Sequence, residues 1–258
     1  MTDQTLSMSA TRPAGEDVAA DGLVAHFQPF YNLGTGALQG VEALARLAGD
    51  AGATTPGPFF DAVRDSGCMA EVDRWILRQS VQQLSRLQQE EDLRRLILSV
   101  NLSGEFVCSE GFHTEVLEEL EAGGVAGDRL LVDISTATFR RLQGADSGAF
   151  ARLVALQEQE ITFCLDGFTV DDLDLLPALT DARVDIVKLH PREIAEGDSD
   201  RLSAIVTAVH DAGLPAVVAG IETPISSGRP PNSDSVGPRA SSWARRCRGM
   251  RSWPPHAC

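Results

Sequence analysis

The chain is 258 residues long, 43% apolar, with a net charge of −15, long enough to bury one sizeable α/β core. No run reaches the roughly 18 apolar residues of a membrane-spanning helix, and an acidic surface repels phosphate backbones, which argues against non-specific nucleic-acid binding. The five cysteines, Cys68, Cys108, Cys164, Cys247 and Cys258, form no CxxC pair and no zinc-like spacing with histidine, so neither a disulfide framework nor structural zinc is expected.

Residues 1–21 read as a flexible segment. They lack the basic start and apolar stretch of a secretory signal, so the cytoplasm is the expected location, and they are too few to form a further folded domain. Residues 23–33 read as a strand, Gly34-Thr35-Gly36 as a hairpin turn and residues 37–47 as the return strand. Apolar spacing at i, i+3 and i+4 predicts helices over 58–67 and 70–88. Further strands are expected at 96–103, 129–135, 161–168, 184–190 and 215–222, with helical segments at 114–122, 149–159 and 199–212. Strands alternating with helices are the pattern of βαβ units and a parallel sheet.

Glu42, Asn101, Asp133, Asp166, Lys188 and Glu222 each fall at or near the C-terminal end of a predicted strand. In a closed barrel those ends share one rim, where the connecting loops build a site. Lys188 is the only lysine among 22 basic residues. A compact ammonium is not replaceable by a guanidinium where a small point charge must touch a phosphate oxygen or a water, so its retention points to a site. Residues 224–258 differ in kind: six arginines against one acid, Asp234, in a Pro-, Ser- and Arg-rich stretch without periodicity. They read as a disordered basic tail, or as the product of an altered reading frame.

The run FQPFYNLGTGALQGVEALARL (27–47) resembles the opening of an EAL domain, the family that hydrolyses cyclic di-GMP. Glu42-Ala43-Leu44 is its name-giving motif, set between Gln28-Pro29 and Gly40 on one side and Arg46 on the other. The resemblance continues in order through SVNLS at Asn101, LVDIS at Asp133, FCLDGF at Asp166, VDIVKLH at Lys188 and AGIET at Glu222. It implies a TIM-like (β/α)8 barrel over residues 22–223. It further implies Mg2+ or Mn2+ held by Glu42, Asn101, Asp133, Asp166 and Glu222, with Glu42, Asp166 and Lys188 catalytic. Lys188 would orient or activate water, Arg46 would contact a substrate phosphate, and Gln28 would lie near the substrate. The chemistry asks for the same residue types: hard cations prefer oxygen ligands, and they lower the pKa of an attacking water while neutralising phosphoryl charge.

The pattern also breaks. Gly167 stands where the family has a second aspartate, Asp133 and Thr136 where it has glutamates, His190 where it has an aspartate and Ala219 where it has a glutamate. The loop after Phe168 lacks the usual glycines and, with Thr136, its usual anchor. Beyond Glu222 the family's last βα unit is not recognisable, so the barrel is expected to be incomplete, its gap open to a second copy of the chain, a signalling partner or the tail. Three readings follow: a domain that binds cyclic di-GMP or a partner with weak or no turnover, an active phosphodiesterase, or a protein-interaction module without nucleotide binding.

Overall fold

β1 (Leu23–Asn32) and β2 (Leu38–Leu47) form an antiparallel pair in which Gln28 stands opposite Glu42 and Val24 opposite Arg46. Alternation decides the two faces. Val41, Ala43 and Ala45 join the main apolar core, while Gly40, Glu42, Leu44 and Arg46 share the other face. The computed structural model describes residues 22–32, 37–47, 57–144, 148–195, 199–218 and 250–252, so the expected turn at Gly34-Thr35-Gly36 lies outside the described residues.

From β2 the chain makes α1 (Gly57–Asp65) and α2 (Met69–Leu87), then alternates strands with helices. β3 (Ile97–Asn101) leads to α3 (Gly104–Val107) and α4 (Phe112–Gly123). β4 (Leu130–Ser135) leads to α5 (Thr136–Gly144) and α6 (Gly148–Glu158), and β5 (Thr162–Phe168) to a 3-10 turn at Val170–Leu175 and α7 (Leu176–Asp181). β6 (Ile186–Leu189), α8 (Arg192–Ala195), α9 (Ser199–Asp211) and β7 (Ala216–Val218) follow. α2 buries Val72, Ile76, Leu77, Val81 and Leu84, the one-sided stripe its spacing predicted. α5 was not expected. It begins directly after β4, with the Ser135 hydroxyl accepting from Thr138 N at 3.1 Å, so no loop residues mark the change of element.

Strands β2 to β7 are parallel neighbours in sequence order, with β1 antiparallel on the outer side of β2. Two apolar clusters lie on the two faces. The larger one packs Leu98, Val100, Val132, Ile134, Phe163, Leu165 and Val187 under the helices. The smaller one joins Ile97, Leu131, Cys164 and Ile186 with Phe30 and Val217, drawn from β1 and from β3 to β7, as the interior floor of a curled sheet. Gly40 makes that floor possible: a Cβ there would lie 2.2 Å from Ile97 O and 2.4 Å from Phe30 Cζ, so the Phe30 ring needs the bare backbone to enter the interior.

The tail differs from expectation at one place. Met250–Ser252 forms β8, antiparallel to β1 with Tyr31 opposite Arg251. An edge strand left with unsatisfied backbone groups favours such an addition. β7, at the other end of the sheet order, lies near β8 without being hydrogen bonded to it. Among the described residues no helix is long and apolar enough to cross a membrane.

Candidate functional site

Strand alternation carries the interior face upward from the apolar floor to polar residues. Two residues beyond Ile97 comes Ser99, then Asn101; beyond Leu131 come Asp133 and Ser135; beyond Cys164 comes Asp166; beyond Ile186 comes Lys188. Register aligns them across the sheet: Glu42 beside Ser99, Asn101 beside Asp133, Ser135 beside Asp166, and Asp166 beside Lys188. The Lys188 ammonium stands 3.5 Å from Glu42 Oε1, 3.7 Å from Asp166 Oδ1 and 3.8 Å from Asp133 Oδ2. Asn101 Nδ2 donates to Glu42 Oε1 at 3.0 Å. Five of the residues expected from the sequence thus form one cluster around a single cation.

Burial grades through it. The Asp133 side chain is 1% exposed, Lys188 17%, Glu42 22% and Asp166 35%, so Asp133 forms the base and Asp166 the open rim. Burial pushes the Asp133 carboxyl up to about 6; Lys188 and the Ser99 hydroxyl, which donates to Asp133 Oδ2, oppose that rise, while Glu42 and Asp166 reinforce it. Burial works against the Lys188 charge, but Asp133, Glu42 and Asp166 together outweigh it and hold the ammonium protonated. Cys164, next to Asp133 in register, is buried beneath the cluster, and burial followed by repulsion from Asp133 keeps its thiol protonated.

Gly167 occupies a bulge in the pairing of β5 with β6 and has φ +78, the left-handed region that favours glycine. The nearest atom to a Cβ built there is His190 Cδ2 at 3.9 Å, so space is available and the backbone angle is the constraint. His190 itself accepts from Arg192 N through Nδ1 at 3.1 Å, at the start of α8.

The expectation that the loop after Phe168 lacks an anchor is corrected. Thr169 and Asp172 form a reciprocal capping box, with Asp172 Oδ2 accepting from Thr169 N at 3.1 Å and from its hydroxyl at 2.8 Å. Arg140 on α5 donates to both oxygens of Asp174 at 3.0 Å and to Asp172 at 3.2 Å. Arg192 reaches Asp171 at 3.0 Å. An arginine fork from α5 supplies the restraint expected to be lost with Thr136.

Arg46 shares the face of Glu42 two periods nearer the strand end, half-buried, with Nη1 donating to Ala45 O at 2.9 Å; burial lowers its pKa, and Glu42 opposes that. Gln28 faces Glu42 across the antiparallel pair. Glu222 and Ala219 lie outside the described residues. Ser99, Cys164 and Ser135 belong to the site and were not singled out in the sequence, although each stands two residues from a residue that was. Three carboxylates and an amide are the donor set of a hard divalent cation, and buried Asp133 Oδ1 has no hydrogen-bond partner. Among the described residues, however, no three carboxylate, histidine or cysteine groups come together closely enough to hold an ion, and the Lys188 ammonium stands between the carboxylates. The donors fit a divalent cation in kind, with the ammonium in the place between them.

The family model for the EAL domain matches residues 13–226. The oxygen sensor protein DosP of Escherichia coli (strain K12) is 26% identical over 216 residues, which is 81% of this chain and 26% of DosP. The chain thus spans about a quarter of that relative's length. An uncharacterised protein of Mycobacterium tuberculosis (strain ATCC 25618 / H37Rv) is 27% identical over 215 residues, 79% of this chain and 68% of that protein. Among solved structures, the PaMucR phosphodiesterase in its c-di-GMP complex superposes with a TM-score of 0.70 at 22% identity, covering 92% of this chain and 91% of that one. The FimX EAL domain of Xanthomonas citri in complex with c-di-GMP gives 0.66 at 19%, covering 91% and 87%. These structural likenesses establish the fold.

Proposed function

The chain belongs to the EAL domain family, and we propose that it binds cyclic di-GMP at the strand-end cluster and hydrolyses it weakly or not at all. The observation that carries this reading is the convergence of Glu42, Asp133 and Asp166 on the Lys188 ammonium, with Asn101 bonded to Glu42. Complexes with c-di-GMP are known for the structurally similar PaMucR and FimX domains, which supports the same class of ligand here.

Hydrolysis of a phosphodiester to the linear dinucleotide requires a water in line with the leaving oxygen. Mg2+ or Mn2+ held by Glu42, Asn101, Asp133 and Asp166, with Glu222 as a further ligand, would acidify that water and neutralise phosphoryl charge. In this reading Lys188 would orient that water, Arg46 would offer a guanidinium to a substrate phosphate, and Gln28, opposite Glu42, would lie near the substrate. Gly167 brings no carboxylate, so two adjacent cations would lack charge compensation, and weak turnover follows.

An active phosphodiesterase is favoured by two observations: the cluster retains Glu42, Asn101, Asp166 and Lys188 in contact range, and Arg140 anchors the loop after β5. Product analysis with Mg2+ or Mn2+ separates the two. A linear dinucleotide formed at an appreciable rate, and lost in Glu42→Ala, establishes the enzyme; no product from a protein that binds the nucleotide supports the binding role. Barrel boundaries at 22 and 223, a basic tail over 224–258, a cytoplasmic setting and pairing with a second copy or a signalling protein remain parts of this proposal.

A further inference from the structure

Two of the departures from the family pattern meet at one corner of the rim. Gly167 and His190 both stand where aspartates are usual, and His190 Cδ2, at 3.9 Å, is the nearest atom to a Cβ built on Gly167. His190 follows β6 directly, two residues beyond Lys188, and its N donates to Phe168 O at 2.9 Å, which continues the β5–β6 pairing by one bond. Strand alternation therefore sets it above Lys188, where the residue is exposed.

The imidazole is held in one tautomer. Nδ1 accepts from Arg192 N at 3.1 Å, so that nitrogen carries no proton and the ring proton sits on Nε2. His190 O accepts from Glu193 N at 3.0 Å, so the backbone and Nδ1 are all engaged. Nε2–H is left with no hydrogen-bond partner among the described residues. Arg192 turns its own guanidinium to Asp171 and Glu193. A ring nitrogen that bears its proton has no lone pair to give a cation. An aspartate in this place would accept, whereas this histidine donates. The corner has thus exchanged two carboxylates for bare backbone and one fixed donor. Ionised phosphate oxygens are the acceptors that bind such a donor most strongly.

Resting on the reading that this chain binds cyclic di-GMP, we infer that His190 is a phosphate-binding residue of the site: its Nε2–H donates directly to a non-bridging phosphate oxygen, in the room left by Gly167, with no cation between them.

The test is calorimetric titration of the full chain with cyclic di-GMP, in EDTA and separately in Ca2+, for wild type, His190→Ala, His190→Gln and His190→Asp, with circular dichroism melts to verify folding. Glutamine places an amide N–H near the position of Nε2, so it keeps the donor without the ring. In EDTA the inference predicts that His190→Ala weakens binding about tenfold and that His190→Gln recovers most of the loss. His190→Asp should bind more weakly still, because a carboxylate repels the phosphate, and Ca2+ should narrow that last difference. A wild type that binds only in Ca2+, or a folded His190→Ala variant that binds as tightly as wild type in EDTA, overturns the inference. If wild type binds cyclic di-GMP in neither condition, the proposed function fails, and inorganic phosphate decides His190 alone. Nitrogen NMR of 15N-histidine-labelled protein then follows Nε2 of His190, identified by the signal lost in His190→Gln. A saturable shift with phosphate sustains the phosphate site, and an unmoved signal overturns it.

Discussion

Lys188 Nζ lies 3.5 Å from Glu42 Oε1 although β3, β4 and β5 stand between their strands in the sheet order. In a flat sheet four strand spacings would set them about 19 Å apart. The contact exists because the sheet curls until β2 and β6 face each other across its interior, so the fold and the cluster have one geometric cause.

The ammonium offsets three carboxylates in a site where one of them is 1% exposed. Replacing Lys188 with Met leaves that charge uncompensated and should lower folding stability by about 3 kcal/mol. Mg2+ or Mn2+ should then stabilise the variant more than wild type, because the ion no longer competes with the ammonium. Denaturant titration with and without the ion checks both parts; a variant as stable as wild type and indifferent to the ion contradicts the role given to Lys188.

Gly167 separates backbone from chemistry. At φ +78, both Gly167→Ala and Gly167→Asp should cost about 1 kcal/mol or somewhat more, while only Gly167→Asp should bind divalent cations more tightly. Equal cation affinity for the two variants, measured by calorimetry, would remove the missing aspartate from the explanation of weak turnover.

Away from the cluster, Asp73 on α2 is buried and accepts from Ser103 N at 2.8 Å, just beyond Asn101 on the same segment. Burial raises its pKa to about 7, with Ser103 opposing, Glu105 adding repulsion and Arg74 offering slight relief. The folded state therefore keeps a proton that the unfolded chain releases near pH 4. Stability contributed by this group is complete below pH 4, falls as pH rises towards 7, and is level above. Asp73→Asn should flatten that part of the profile; urea midpoints measured from pH 4 to 8 that fall equally in both proteins would count against it.

Arg140 is predicted to hold the segment after β5 in place through Asp172 and Asp174. Arg140→Ala should speed amide exchange and proteolytic nicking across residues 169–175, with the global melting temperature nearly unchanged. Unaltered exchange there would mean that the Thr169–Asp172 capping box alone suffices.

Most of the architecture was legible because alternation and helical spacing are local. Thr162–Phe168 and Leu130–Ser135 fall within a residue of the expected bounds, and α2 within one. α5 was missed because Ser135 serves as both the last strand residue and the cap, leaving no turn signal. The cluster residues were legible from strand-end position and the family pattern, whereas Ser99 and Cys164 needed the register that places them beside Glu42 and Asp133. The Arg140 fork joins residues more than thirty apart in sequence, and nothing local announces such a pair. β8 was invisible for the same reason: its pairing depends on the free edge of β1.

The most direct test of the central claim is titration of the protein with cyclic di-GMP in Ca2+, followed by transfer to Mg2+ or Mn2+ and product analysis. The account predicts saturable binding weakened by Glu42→Ala and Arg46→Ala, with little or no linear dinucleotide formed. A folded protein that binds no cyclic di-GMP, or one that converts it rapidly to the linear product, would contradict it.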